Sequence, residues 1–160
     1  MPLEIRAGQV TSPDVVALLR DHLALMNALT PPESVHALDL AGLCAPDVSF
    51  FTAWEGQELV GCGALRELDA THAELKSMHT VARQRGRGVG KAMLDHLLAL
   101  ARARRYARVS LETGALAGFE AARALYAGAG FVECGPFGDY GPDPNSCFMT
   151  RSLRARGEEP

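Results

Sequence analysis

The stretch Arg83-Gln84-Arg85-Gly86-Arg87-Gly88-Val89-Gly90-Lys91 joins a predicted strand to a predicted long helix. Glycine at every second position lets the backbone curl closely around a ligand. The first N–H groups of the following helix have no partner within it, and that helix end carries a partial positive charge. Together with the basic side chains of the stretch, these groups predict a binding site for an anion such as a phosphate.

The glycine spacing excludes two common phosphate-binding motifs. A Walker loop needs G-x-x-x-x-G-K-[ST], but Arg85 stands five residues before Gly90 and Ala92 follows Lys91. A dinucleotide-binding turn needs G-x-G-x-x-G, whereas this turn reads G-x-G-x-G. A nucleotide-phosphate binder is therefore the weakest of the functions considered.

The elements around this turn alternate between strand and helix patterns. The helix after it carries one apolar stripe: Val89, Met93, Leu94, Leu97, Leu98 and Ala101. The other predicted strands are Leu3–Arg6, Val48–Trp54, Leu59–Leu65, Ala73–Thr80, Ala107–Glu112, Phe131–Cys134 and Ser146–Leu153. The other predicted helices are Asp14–Leu29, with Ser12 as N-cap, Glu33–Leu43 and Ala117–Ala127. This order predicts one α/β domain with a mixed sheet and helices on its faces.

The strand Ala73–Thr80 has an irregular pattern. Its apolar residues Leu75 and Met78 are three apart, and strict alternation would put them on opposite faces of the sheet. A β-bulge between them would bring them to one face, and bulges are common beside active sites. We therefore expect a bulge within residues 74–80.

The composition excludes several classes of protein. The 160 residues suffice for one domain, residues 1–160, of which 154–160 are predicted to form a frayed polar tail. No apolar run approaches the roughly 20 residues that cross a bilayer, and no export signal opens the chain. A net charge of −3 is not typical of nucleic-acid binding. The four cysteines are far apart, which predicts free thiols in the cytoplasm and no metal site.

Three segments in order resemble the GCN5-related N-acetyltransferase family. Arg85, Gly88 and Gly90 match its R-x-x-G-x-G signature for acetyl-CoA. Ala122, Leu125-Tyr126 and Gly130-Phe131 look like its A-x-x-L-Y-x-x-x-G-F segment, and Ala73–Thr80 looks like its central strand. The resemblance covers about residues 48–153. It implies a mixed, mostly antiparallel sheet of about six to seven strands, flanked by about four helices, and acetyl-CoA as co-substrate.

The resemblance also implies roles for individual residues. Tyr126 would protonate the leaving thiolate, and Glu74 would take the proton of the attacking amine. Cofactor binding would fall to the central strand and the glycine turn: Met78, His79, Thr80, Arg85, Gly86, Arg87, Gly88, Val89, Gly90 and Lys91. The family often has Asn seven residues before this Tyr, where this chain has Phe119, so an aromatic wall is expected there.

The resemblance implies an amine acceptor, either a small molecule or a peptide amino terminus. Asp139 and Tyr140 lie in a loop that often borders the acceptor site, where Asp139 would attract a cationic amine. Alternatives remain open: Asp139 would only shape a turn, Glu74 would face solvent, and Tyr126 would only pack in the core. Relatives commonly form dimers, so a homodimer is compatible. The alternative function is a non-catalytic acyl-CoA-binding sensor or regulatory module.

Overall fold

The computed structural model describes residues 2–35 and 40–153. Within these ranges one seven-stranded sheet is built from β1 (Leu3–Ala7), β2 (Val48–Glu55), β3 (Glu58–Asp69), β4 (His72–Thr80), β5 (Arg108–Gly114), β6 (Val132–Cys134) and β7 (Ser146–Ser152). The spatial order is β1-β2-β3-β4-β5-β7-β6, and β4 with β5 is the parallel pair in an otherwise antiparallel sheet. The predicted mixed, mostly antiparallel fold is confirmed.

The helices are α1 (Pro13–Leu29), α2 (Leu40–Leu43), α3 (Val89–Ala103) and α4 (Glu120–Gly128), and three 3-10 turns cover Pro32–Ser34, Ala82–Gln84 and Ala117–Phe119. The helix predicted over Glu33–Leu43 corresponds to a 3-10 turn and the short α2, with residues 36–39 outside the described part. The predicted tail 154–160 also lies outside it.

The helix predicted from Ala117 starts as a 3-10 turn and becomes α-helical only at Glu120. This turn folds the ring of Phe119 back over the end of β5. A Cβ atom placed on Gly114 would lie 2.0 Å from Phe119 Cδ2, so only glycine allows the ring this position. The close approach fixes Phe119 at the entrance to α4.

Two apolar cores lie on opposite faces of the sheet. On one face the predicted stripe of α3 is buried in full and packs with residues of the central strands such as Leu65, Leu75 and Leu111. On the other face α1 packs through Val15 and Leu18 against β2 and β3. Both faces of the central strands are therefore covered, as a buried parallel pair requires.

The parallel pair β4 and β5 separates partway along its length. Pairing runs only from His72–Leu75 on β4 to Arg108–Leu111 on β5, yet β4 continues to Thr80 and β5 to Gly114. Two strands that part in this way leave a wedge between their carboxyl ends. Every further feature of the site is arranged around this wedge.

The predicted bulge in β4 is confirmed. Cys62 pairs with His79 and Ala64 with Lys76, so three steps on β4 oppose two on β3. At this shift Ser77 has a φ of +55°, a left-handed conformation that is uncommon for residues other than glycine. The bulge turns this part of β4 toward the wedge.

Candidate active site

A groove of about 690 Å³ runs from the N-terminus of α3 to the wedge between β4 and β5. Gly88 is the N-cap of α3, with a φ of +86° and no side-chain cap, so the first turn of the helix is open to a ligand. Nine of the ten residues predicted to bind the cofactor line this groove: Met78, His79, Thr80, Arg85, Gly86, Gly88, Val89, Gly90 and Lys91. Arg87 is not among its lining residues.

The basic side chains of the turn are held by different partners. Arg85 donates from Nε to the carbonyl oxygen of Thr80 at 3.3 Å. Lys91 pairs with Asp95 one helical turn away at 2.9 Å. Arg83 instead forms an exposed ion pair with Glu58, on the outer side of the turn. Arg85 and Lys91 thus remain at the groove, which suits it to an anionic ligand.

A smaller cavity of about 130 Å³ occupies the wedge itself. Met26, Met78, Phe119, Ala122 and Tyr126 line both this cavity and the groove, so the two spaces meet at these side chains. The polar residues around the smaller cavity are His22, Thr30, Ser34, Lys76, Ser77, Glu112, Thr113 and Tyr126. Phe119 therefore provides the aromatic wall that was expected in place of Asn.

Tyr126 projects from α4 to the junction of groove and cavity. Its side chain is buried and packs edge to face on Phe131, with ring centroids 5.9 Å apart. Burial raises the pKa of the Tyr126 hydroxyl well above its usual range, and the negative charge of Glu112 adds to this effect. The hydroxyl accordingly keeps its proton at neutral pH.

Glu74 is buried, with 1% of its surface exposed, so the alternative that it faces solvent is wrong. Tyr140 donates its hydroxyl proton to Glu74 Oε2 at 2.5 Å, and Lys76 Nζ lies 3.5 Å from the same oxygen. Lys76 also donates to the Tyr140 hydroxyl at 2.8 Å. Burial and the charge of Glu74 raise the pKa of Tyr140. We call these three residues the Glu74 cluster; of them, Lys76 lines the wedge cavity.

Asp139 is exposed in the turn from Phe137 to Tyr140, where Gly138 has a φ of +55°. It does not line the wedge cavity. The geometry thus favours the alternative in which Asp139 shapes the turn. Tyr140, which the same turn presents, does not line the cavity but donates and accepts next to it: it is bonded to Lys76, and besides burial the charge of Glu112 also raises its pKa.

Four residues at the cavity were not predicted from the sequence, among them Lys76, which stood only as part of the predicted strand Ala73–Thr80. Glu112 follows the buried run Val109–Leu111 at the carboxyl end of a strand, and a polar residue at that place was the signal that could have found it. His22 lies on the apolar side of α1, where nothing local distinguished it, whereas Ser77 lies in the bulge that the spacing of Leu75 and Met78 predicted.

His22 and His79 connect α1 to β4. Their Nδ1 atoms are 3.1 Å apart, so one ring donates and the other accepts. Burial lowers the pKa of His22 to about 4, with a contribution from His79. Burial lowers the pKa of His79 to about 4 as well, with a contribution from Arg85. Both rings are neutral at neutral pH.

The comparisons with known proteins agree on one family. The model of the acetyltransferase (GNAT) family matches residues 17–131. The chain is 51% identical to "Uncharacterized N-acetyltransferase YsnE" of Bacillus subtilis, over 94% of this chain and 100% of the relative. It is 46% identical to "Uncharacterized N-acetyltransferase YedL" of Escherichia coli, over 98% of both chains.

A solved structure from Klebsiella pneumoniae, described as an acyl-CoA N-acyltransferase, superposes with a TM-score of 0.78. It shares 28% identity and covers 95% of this chain and 98% of its own. In the part of the chain that the structure describes, no group of three or more His, Cys, Asp or Glu residues could hold a metal ion. No helix in the same part has the length and hydropathy of a membrane span.

The histidine pair predicts how stability depends on pH. In the fold both imidazoles stay neutral down to about pH 4, whereas in the unfolded chain they bind protons near pH 6.5. The unfolded state therefore binds more protons between these values, and the free energy of unfolding falls as the pH drops from about 6.5 to 4. The slope is at most about 1.4 kcal/mol per pH unit for each imidazole. Urea unfolding at pH 7, 6 and 5 measures it.

His22→Gln should reduce that slope, since the variant removes one ring of the pair. His96 lines neither the groove nor the wedge cavity, but burial lowers its pKa as well, so His96→Gln should reduce the slope by a smaller amount than His22→Gln. Equal slopes in wild type and the His22 variant would contradict the assigned protonation of the pair.

Proposed function

The chain belongs to the GNAT acetyltransferase family, and on that basis we propose that it transfers an acetyl group from acetyl-CoA directly to a primary amine. The acceptor is a small molecule or a peptide amino terminus, bound together with the donor. One observation carries the proposal: the groove at the Gly88 turn and the wedge cavity meet at Tyr126. A donor in the groove and an acceptor in the cavity would thus present their reacting atoms to one phenol.

The groove fits the donor by its own chemistry. The open first turn of α3 offers backbone N–H groups to a diphosphate, and Arg85 and Lys91 add positive charge. Beyond Leu75, the edge of β4 that faces β5 has no strand paired to it among the described residues. Its N–H and C=O groups can pair with the amides of an extended ligand, as an added strand would. When bound, acetyl-CoA supplies the activated acetyl thioester.

Direct transfer is supported by the state of the cysteine in the groove. Cys62 lines the groove, but burial raises the pKa of its thiol to about 12. The thiol donates to the carbonyl oxygen of Ser77 at 3.2 Å. A cysteine that keeps its proton is a poor nucleophile, so a covalent acetyl-cysteine is disfavoured.

Two carboxylates are candidates for the base that takes the proton of the amine. Glu112 lines the wedge cavity, and its charge acts on Tyr126. Glu74 does not line the cavity and would have to work through Lys76, which does line it and whose Nζ lies 3.5 Å from Glu74 Oε2. A base must be within hydrogen-bond reach of the proton it removes, directly or through one intermediary. We propose that Glu112 takes the proton of the amine directly. Glu74, which was expected to be the base, would take it only indirectly, through the other residues of the Glu74 cluster.

Tyr126 is proposed to protonate the leaving thiolate. Because burial and Glu112 hold its pKa high, the phenol retains its proton until negative charge develops on the sulfur. The backbone of β4 near Met78, exposed by the bulge, is proposed to bind the oxygen of the acetyl group.

The proposal is tested by measuring thiol release from acetyl-CoA over a library of amines, beside calorimetry of coenzyme A binding. We expect binding of coenzyme A and thiol release that depends on the amine. Binding with no amine-dependent thiol would instead support the non-catalytic sensor. Protection from melting by ATP and not by coenzyme A would contradict both functions.

Tyr126→Phe should lower kcat at least about a hundredfold, the scale of a lost general acid. The dissociation constant of acetyl-CoA should stay within about twofold, because the ring remains in place. Tyr106→Phe is the matched control: its buried hydroxyl donates to Glu67, and the residue lines neither cavity. Unchanged turnover in the Tyr126 variant would remove its assigned role.

Glu112→Gln and Glu74→Gln separate the two candidate bases. Loss of the base should lower kcat/KM about a hundredfold at pH 7 and less at high pH, where more of the amine is already unprotonated. We expect this pH-dependent rescue for Glu112→Gln and a smaller loss for Glu74→Gln. The reverse order would assign the base to Glu74.

A further inference from the structure

Ser77 has three features that together call for a ligand. Only 7% of its surface is exposed, its hydroxyl has no hydrogen-bond partner, and it lines the wedge cavity. Buried hydroxyls almost always have a partner, so an unpartnered one requires an explanation. A molecule bound in the cavity that Ser77 lines would complete the hydrogen bonds of this hydroxyl.

The backbone at Ser77 supports the same explanation. Its φ of +55° lies in the region where glycine is favoured and a side chain costs energy. Glycine would fit the bulge without that cost. The serine therefore brings a hydroxyl to the cavity at the expense of local strain, and strained residues of this kind cluster at functional sites.

The neighbouring residue determines which chemical group the hydroxyl would meet. Consecutive strand residues normally point to opposite faces, but the wedge cavity is lined by both Ser77 and Lys76. The Lys76 ammonium is held in place by Tyr140 and Glu74, so its position is defined before any ligand binds. An ammonium can only donate hydrogen bonds, and a hydroxyl can donate one. A hydroxyl and an ammonium that donate to the same ligand match a group with two acceptor oxygens.

The opposite charge in the cavity completes the pattern. Glu112 lines the same cavity, from β5, and attracts the positive charge of an amine. His22 faces the cavity from α1 without charge at neutral pH. The space of about 130 Å³ is close to that of an engineered cavity that holds benzene, about 150 Å³, so it suits a small molecule.

We infer that the acceptor is a small amine that also carries a carboxylate, such as an amino acid, with the carboxylate bound by Ser77 Oγ and Lys76. This inference rests on the proposed acetyl transfer and narrows its substrate class. Ser77 is thereby a specificity-determining residue. The ammonium end of the same molecule lies toward Glu112 and Tyr126, where the transfer takes place.

The test uses the twenty common amino acids and their amides as acceptors in the thiol-release assay. For the accepted amino acids, we expect a KM at least about tenfold below that of the matching amide, the scale of a hydrogen bond to a charged group. Ser77→Ala and Ser77→Gly should each raise the KM for the acid about five- to tenfold, with kcat changed less than about twofold.

The two Ser77 variants distinguish the hydroxyl from the backbone strain. Both remove the hydroxyl, but only glycine also relieves the strain at positive φ. A hydroxyl that binds substrate predicts the same rise in KM for both, whatever their melting temperatures. For each protein we take the KM of the amino acid divided by the KM of its amide, and then compare this ratio in each variant with the ratio in wild type. The different basicity of the amine in the acid and in the amide cancels in this comparison.

Ser146→Ala is the matched control, because it deletes another buried and unpartnered hydroxyl that does not line the wedge cavity. Its acid-to-amide ratio should equal that of wild type. The inference is overturned if wild type accepts amides as well as acids, or if the acid-to-amide ratio of KM is unchanged in both Ser77 variants. Either result would leave the proposed acetyl transfer intact. Binding of acetyl-CoA without thiol release for any amine would overturn the transfer itself, and this inference with it.

Discussion

The limited pairing of β4 with β5 is the constraint on which the site depends. Four residue pairs hold the strands together, and beyond Leu75 and Leu111 they part. A continuous parallel pair would leave neither a wedge nor an unpaired strand edge. The bulge at Ser77, the ring of Phe119 and the phenol of Tyr126 all border the space created by this separation.

The fold followed from local patterns in the sequence. The apolar stripe of α3, the hairpin of β2 and β3 and the irregular spacing of Leu75 and Met78 were each sufficient to predict their elements, including the bulge. The family and the acyltransferase class, inferred from the Arg85–Gly90 turn and the Tyr126 segment, are confirmed. Each of these features lies within one short segment of the chain, so the spacing of residues in that segment is enough to predict it.

The acceptor side of the site was less predictable, because it is assembled from residues far apart in the chain. Glu112 becomes relevant only when β5 lies beside β4, and His22 only when α1 crosses the sheet to meet His79. Glu74 was recognised by position, but its burial beneath Tyr140, 66 residues away, is a tertiary fact. Asp139 belonged to a turn whose direction the sequence did not reveal.

The Glu74 cluster ties the segment before β7 to the central strand. Tyr140 spans the distance with two bonds, one to Glu74 and one from Lys76, in a buried setting where hydrogen bonds are strong. Outward motion of that segment must break both bonds at once and leave two charged groups without their shared phenol. The segment before β7 is consequently fastened to β4 through a single phenol.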